Sequence, residues 1–468
     1  MAVDGWARQA LRDTKPAVFW SDRTDGPAPA PTLGGEVTAD LTVIGAGFTG
    51  LWTAIQALED QPGLKVVVLE AERCGFGASS RNGGFCNGSL THGLDNGLSH
   101  WPDDIKALVR LGRHNLDAID VAIDRYNISA DYRRATEIGV ATEPWHLEVL
   151  QERLETHQRF GDEVELLNTD AMRARVHSPT YLGGLLRHND VALVDPARLC
   201  WGLRAGAESL GATVHEHSPA IGVERDGSAI KVVTPGGSIR SEKVVMATNA
   251  YAGPVRRPRR YVIPVYDHVL MTEPLTTEQL GSVGWQQREG IGDVSNQFHY
   301  YRLSRDDRIL WGGYDATYHF GNGLDPQHDQ SDATHRDLAT HFFETFPQLE
   351  GLRFTHRWGG PIATTTQFTA TWGTTHDGRV TWVAGYTGLG VAASRFGARV
   401  ALDIAFGRTT ERTELEMVRK KPFPFPPEPL RWAGVQLTRK AIQRSDRRGG
   451  KRGVWLGILD KFGVGFDS

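Results

Sequence analysis

Apolar positions along the chain follow two different periods, and the changes between them mark its parts. Residues 41–44 (LTVI) are a short apolar run, residues 51–58 repeat at helical spacing, and residues 66–69 (VVVL) are a second apolar run. A strand, a helix and a buried parallel strand are therefore predicted. Helical spacing returns over residues 101–126, 143–160, 194–210, 334–345 and 393–406, with Glu143-Pro144 and Asp195-Pro196 as natural starts. β-prone runs at residues 212–216, 220–224, 229–233 and 243–250, separated by Asp226-Gly227 and Pro235-Gly236-Gly237, predict a meander that leads into a buried strand. Residues 261–266, 299–303, 308–313 and 380–384 are further candidate strands. At the start, residues 6–12 suggest a short helix, followed by a proline-rich extended lead over residues 26–31. At the end, prolines follow Lys420, a basic stretch over residues 439–452 reads as a solvated helix, and residues 454–466 are apolar.

The break after the first strand carries chemistry. Gly45, Gly47 and Gly50 stand in the G-x-G-x-x-G pattern. The first makes the turn, the second lets the backbone approach a pyrophosphate, and the third, with Ala54, lets the helix pack on the sheet. The helix N-terminus then offers free N–H groups and a favourable dipole to phosphates. Glu70 ends the second strand, where a carboxylate accepts from ribose hydroxyls and disfavours a 2′-phosphate. Dinucleotide binding is the reading; a βαβ unit with no ligand is the alternative. Residues 71–85 are too rich in Gly and Ser for a strand or long helix, and would bring amides and hydroxyls to something anionic or planar. Residues 385–392 repeat the strand-glycine-helix pattern, so a second such group could sit on the helix that follows.

Composition mainly excludes. With 468 residues, two to four domains are expected on a soft prior, and 52 Lys+Arg against 56 Asp+Glu leave no global field to recruit nucleic acid or anionic membrane. The N-terminus lacks the pattern of a secretory signal and no stretch is apolar enough to span a bilayer, so a cytoplasmic protein is expected. Cys74, Cys86 and Cys200 are too few for a disulfide framework. No metal is expected: neither His215 with His217 nor His335 with His341 has partners in a ligand set.

Four segments in order, residues 43–51 (VIGAGFTGL), 75–84 (GFGASSRNGG), 247–250 (ATNA) and 385–390 (GYTGLG), resemble the D-amino-acid-oxidase-like superfamily of FAD-dependent amine oxidoreductases. That superfamily includes glycine and sarcosine oxidases, and within it the chain looks most like the γ-glutamylputrescine-oxidoreductase-like branch. The resemblance implies an α/β fold with two domains. One is a discontinuous Rossmann-like FAD-binding domain over residues 39–100, 185–260 and 356–410. The other is a substrate domain over residues 101–184 and 261–355, with a large mixed, mostly antiparallel sheet and flanking helices. Residues 1–38 would be an N-terminal arm and residues 411–468 a tail.

The resemblance further implies Gly45, Gly47, Phe48, Thr49 and Gly50 at the pyrophosphate, and Glu70 with Ala71 at the ribose. It puts Ser79, Ser80, Arg81, Asn82, Gly83 and Gly84 along the flavin middle, and Val223 or a neighbour at the adenine. Thr248 and Asn249 fall at a second strand tip, and Gly388, Leu389, Gly390 and Val391 at the pyrimidine end. Members with covalent flavin use a His where this chain has Arg81-Asn82, or a late Cys, whereas the last cysteine here is Cys200, so noncovalent FAD is expected. Sarcosine-type oxidases keep a lysine where Val391-Ala392 falls and another to activate oxygen, yet none occurs here between Lys243 and Lys420. Use of O₂ is thereby in question.

The implied reaction is oxidation of the C–N bond of a primary or secondary amine, of amino-acid, polyamine-conjugate or aminophosphonate type. Hydride would pass to flavin N5, and water would hydrolyse the imine to an aldehyde or keto product. O₂, giving H₂O₂, or another acceptor would reoxidise the flavin. Positioning and water exclusion carry most of such a step. Substrate-side candidates are His299, Tyr300, Tyr301, Arg302, Arg357 and Trp358. Aromatics can box an alkylamine and Arg can fork onto a carboxylate or phosphonate, while each residue also has an ordinary reading in sheet or core. On a strand Tyr300 and Arg302 share a face and Tyr301 takes the other. Alternatives are a flavin hydroxylase or NAD(P)H-dependent reductase, for which a second complete G-x-G-x-x-G is missing, and a flavin-carrying interaction protein that docks through its basic tail.

Overall fold

Two sheets, each assembled from separated parts of the chain, face one another in the computed structural model, which describes residues 2–251, 253–461 and 464. Residues 462, 463, 465 and 466 of the expected apolar stretch lie outside the described residues. The smaller sheet has a parallel core in the order Val380–Ala384, Gly237–Met246, Gly35–Ile44, Val66–Leu69 and Thr213–His215. Thr371–Thr375 adds antiparallel to one edge, and Gly222–Asp226 with Ala229–Thr234 forms the predicted meander. Burial on both faces explains the unbroken apolar runs. Leu41, Val43, Val66 and Val68 pack under helices Phe48–Asp60, Pro196–Ser209 and Gly390–Ala405, while Ile44, Val67 and Leu69 pack against Ile230 and Val232 of the meander.

Among the described residues the larger sheet has eleven strands and is mixed but mostly antiparallel, as expected. Its main path runs Lys15–Pro16, Phe354–Thr364, Ile263–Thr272, Ile309–Gly313, His299–Leu303, Gly290–Asp293, Arg133–Ala141, Gly183–Leu193 and Phe85–Asn87. One face packs on helix Asp332–Thr345 through Tyr301, Trp311, Phe342 and Phe346. The other face looks toward the smaller sheet.

Four of these strands, Arg133–Ala141, Gly183–Leu193, Gly290–Asp293 and Phe354–Thr364, carry no clear alternation in the sequence. Glycines and charges occupy their inward positions, which hides the period of two. Gly183–Leu193 and Phe354–Thr364 pair in the larger sheet although most of their residues fall in the ranges expected for FAD binding. Conversely, helix Ile105–Arg125, from the expected substrate range, packs Leu108, Leu116 and Ile119 into the core of the smaller sheet.

The described parts of the arm and of the tail both pack on the rest of the fold. Helix Ala2–Ala10 packs Ala7 and Ala10 into the core beside helix Asp332–Thr345, and buried Trp20 donates from Nε1 to the Asn82 carbonyl at 3.0 Å. The tail forms helices Leu430–Asp446 and Val454–Lys461. It is fastened by Arg439 Nε to Asp315 at 2.8 Å and by Asp446, whose Oδ2 accepts from the Gln297 amide at 3.1 Å. Among the described residues no helix is long and apolar enough to cross a membrane, and no cluster suits a metal ion.

Candidate functional site

Close backbone approach decides the first half of the site. Gly45 has φ +105°, and a Cβ there would lie 2.8 Å from the Ala247 carbonyl oxygen; at Gly50 it would lie 1.8 Å from the carbonyl oxygen of Gly45. Helix Phe48–Asp60 can therefore start at the strand tip. Its N-cap, Gly47, gives no side-chain cap and its first turn has no acid, so the positive dipole end stays open to an anion, although one opening amide is already taken. Ser79 Oγ accepts from the Phe48 amide at 2.9 Å. Glu70 Oε2 accepts from the Ala46 amide at 2.7 Å and Oε1 from that of Glu72 at 3.1 Å. Burial raises the Glu70 carboxyl above its ordinary range, against the pull of these amides. Helix Gly390–Ala405 likewise begins without a side-chain cap or an acid, and Thr49 Oγ1 donates to the Tyr386 hydroxyl at 2.9 Å between the two helix starts.

A cavity of about 1170 Å³ passes both helix N-termini and continues beneath the larger sheet. That exceeds the ~300–1,000 Å³ of ordinary ligand pockets and suits a dinucleotide with substrate beside it. Gly45, Gly47, Phe48, Thr49, Glu70, Ala71, Ser79, Arg81, Asn82, Gly83, Thr248, Asn249, Gly388, Leu389, Gly390 and Val391 line it. Four expected residues do not. Gly50 serves the helix-strand junction, and Ser80 turns inward beneath Gly75. Gly84, φ +76°, is wedged where a Cβ would meet the Val194 carbonyl oxygen at 2.2 Å. Val223 pairs with Val232 in the meander, and Pro219 and Ala220 line the cavity at that end. The capless helix starts and the glycine cradle, with Glu70 at the neighbouring strand tip, fit an adenine dinucleotide.

On the sheet side one predicted residue, Tyr300, faces the cavity. Its strand neighbours in register are Gly312 and Gly292, so the ring is free to lean across Gly312. The hydroxyl donates to Asp267 Oδ2 at 2.6 Å, and Asp267 Oδ1 accepts from the His268 amide at 2.8 Å. Burial raises the Asp267 carboxyl to about 6, opposed by the Tyr300 hydroxyl and the amides of His268 and Gly313. These three donors leave about one of a carboxylate's four acceptor positions open. Burial, with the Asp267 charge, pushes the Tyr300 phenol well above its usual range, so it remains a donor. The ring also lies against the glycine- and serine-rich loop, since a Cβ on Gly83 would come within 2.7 Å of it.

The other five substrate-side candidates point elsewhere. Tyr301 takes the opposite face, as alternation requires, and bonds the Tyr181 hydroxyl at 2.7 Å in the aromatic core. Arg302 follows Tyr300 on the same face but is buried behind Gly84, its guanidinium 5.1 Å from the Trp20 ring. His299 is held on the core side by Asp293 at 2.8 Å and His341 at 3.0 Å. Arg357 pairs with exposed Asp332 at 2.7 Å, and buried Trp358 donates to the Arg81 carbonyl at 2.9 Å. The sequence reading missed Asp267. Its signal was a carboxylate inside the run Val265-Tyr266-Asp267-His268-Val269, where an unpaired charge is too costly to be incidental. It missed the roof as well: Phe423, Phe425, Val435, Thr438 and Ile442 of the tail line the cavity, so the basic helix is solvated on one side only.

Comparison with known proteins agrees with this geometry. The chain matches the family model described as FAD dependent oxidoreductase over residues 40–404. It is 31% identical over 401 residues to the γ-glutamylputrescine oxidoreductase of Escherichia coli, covering 85% of this chain and 90% of that protein. It is 30% identical over 380 residues to the probable oxidoreductase OrdL of Haemophilus influenzae, covering 79% and 83%. Among solved structures, glycine oxidase from Geobacillus kaustophilus superposes with a TM-score of 0.69 at 19% identity, covering 82% of this chain and 99% of that one. L-proline dehydrogenase from P. horikoshii gives 0.65 at 19%, covering 83% and 96%. At such identities the structures speak for the fold alone.

Proposed function

The chain belongs to the family of FAD dependent oxidoreductases, and from that premise we propose that it oxidises the C–N bond of an alkylamine held against Tyr300 and Asp267. The observation that carries the proposal is the Asp267 carboxylate: it is enclosed by protein, lines the cavity, and is oriented by a tyrosine whose ring lies against Gly83. The relative named for γ-glutamylputrescine supports an amine as substrate.

Bound FAD supplies the two-electron acceptor that turns the amine into an imine, and O₂ or another acceptor restores it. The chain's own groups do the rest. Gly45, Gly47 and the amides that open helix Phe48–Asp60 would hold the pyrophosphate, Glu70 the ribose, Arg81 to Gly83 the ring system, and Gly388 to Gly390 its far end. Noncovalent binding is supported because Cys74, Cys86 and Cys200 are all buried away from the cavity, their thiols raised by burial. The open acceptor position of Asp267 pairs with the ammonium and, as carboxylate, takes its proton, leaving the neutral amine that oxidation requires. Tyr300 fixes the carboxylate's direction. The tail helix limits water, and a water that enters later hydrolyses the imine.

Anaerobic mixing of the holoenzyme with putrescine, γ-glutamylputrescine, glycine, sarcosine and an aminophosphonate tests this. At least one long alkylamine should bleach the flavin. If every amine leaves the colour intact while NADPH or dithionite removes it, the proposal falls.

A further inference from the structure

Where the cavity passes the start of helix Gly390–Ala405, three of its lining residues other than glycine stand in the left-handed backbone region: His92 at φ +58°, Phe368 at +56° and Thr387 at +49°. The His92 and Phe368 rings lie 5.7 Å apart, and the backbone of Thr387 faces the imidazole. Branched Thr387 and bulky Phe368 are strained in this region, and the surroundings hold them there. Ser89 Oγ accepts from the amides of Thr91 at 3.3 Å and Gly93 at 3.0 Å, on either side of His92. The Thr387 amide donates to the Ala363 carbonyl at 3.0 Å, and its Oγ1 to the Gly385 carbonyl at 3.1 Å. A glycine would fit the His92 position at less cost, so the imidazole itself is what the position supplies.

Resting on the reading that Gly388 to Gly390 hold the far end of the flavin, we propose that His92 takes up a proton when the flavin is reduced and so balances the charge that the ring gains. A hydride brings two electrons and one proton to the ring, which thereby gains one negative charge; a second proton, from water, goes to the imidazole. In an enclosed site such a charge is costly unless it is paired, and a helix N-terminus offers only about half a positive charge. The cavity has little else to add. Among the described residues no lysine lines it, and of its two histidines His157 is bonded to Asp162 at 2.6 Å, whereas no charged side chain shifts His92. Asp95 and Arg153, which line the cavity near it in the chain and across from it, lie 3.6 Å from one another. Behind His92 the titratable neighbour is Tyr386, a phenol raised by burial and bonded to Thr49. Burial lowers the His92 imidazole, opposed by the Thr387 backbone, so it is neutral at neutral pH while the ring is uncharged. A negative charge arriving beside it favours the imidazolium.

The test is the pH dependence of the holoenzyme's reduction potential, measured against a redox dye with dithionite as reductant over roughly pH 7 to 8.5, above the ordinary imidazole range. Wild type should take up two protons per electron pair and His92→Gln one, so the slope against pH should halve. Phe368→Leu, which loosens the same corner without touching the imidazole, should keep the two-proton slope. Sulfite adds to the oxidised ring and leaves the same extra negative charge. It should bind His92→Gln ~10- to 100-fold more weakly than wild type, the range for losing a hydrogen bond to a charged group. A one-proton slope in wild type, a two-proton slope in His92→Gln, or sulfite affinity equal in the two overturns the assignment. Should His92→Gln come without flavin, the wild-type slope and its survival in Phe368→Leu decide. Neither measurement uses an amine, so failure here leaves the proposed reaction standing, and a protein that oxidises no amine would still show the two-proton slope.

Discussion

Around helix Phe48–Asp60 the protein offers backbone to its ligand, whereas around strand His299–Leu303 it offers side chains that hold one another. On the first side the contacts are amides and glycines, and the tolerance is set by main-chain atoms that cannot move, such as the 1.8 Å between a Cβ on Gly50 and the Gly45 oxygen. On the second side the sheet only supplies a surface, and chemistry comes from a pair, Tyr300 and Asp267, that meet across the intervening strand Ile309–Gly313. The first kind of site should fail abruptly and take the cofactor with it. The second should fail by degrees and leave the cofactor bound.

The largest effect is therefore expected from Gly50→Ala. Overpacking typically costs ~1–3 kcal/mol, and here the clash is with backbone, so the cost should lie at the top of that range or above. Soluble protein, if obtained, should be colourless by its flavin-to-protein absorbance ratio. A yellow Gly50→Ala with unchanged Tm would break the contrast at once.

Next comes Asp267→Asn, which should keep FAD and lose ~10²- to 10³-fold in kcat/KM, as expected when a positioned proton acceptor is removed. The pH dependence follows from a raised carboxyl. Asp267 is ionised above about 6 and protonated below, so wild-type kcat/KM should fall as pH drops through about 6, and this limb should vanish in the variant. Tyr300→Phe should cost less, ~10-fold, and move the limb upward, because the hydroxyl that stabilises the carboxylate is gone.

Legibility in the sequence divides along the same line. The βαβ unit could be read because the backbone itself demands Gly45, Gly47 and Gly50 at fixed spacing, and Glu70 falls at the following strand tip. Strands Arg133–Ala141 and Gly183–Leu193 could not, because Glu137, Gly139 and Arg187 point into a cavity and replace the apolar positions that would have marked a period of two. Strand alternation reduced the Tyr300 to Arg302 choice to two faces, but only the sheet register, with glycines on either side of Tyr300, decides between them. Its partner Asp267 lies 33 residues earlier, a contact no local pattern contains.

Smaller effects sharpen the comparison. Arg439→Ala removes the ion pair that fastens the tail helix to Asp315, a pair partly exposed and so worth ~0–1 kcal/mol. KM should rise by ~2- to 5-fold as the roof loosens, with faster proteolytic clipping of the tail. Smallest of all is Arg357→Ala: its partner Asp332 is 85% exposed and neither lines the cavity, so Tm and kcat/KM should stay at wild type. A strong loss there would mean that the substrate side extends farther than Tyr300 and Asp267.

The most direct test of the central claim is the anaerobic rate of flavin bleaching by a long alkylamine, measured across the acid range for wild type and Asp267→Asn. The account predicts fast bleaching that falls away below about pH 6 in wild type, and slow bleaching without that limb in a variant that is still yellow. Equal rates and equal pH profiles in the two proteins would contradict it.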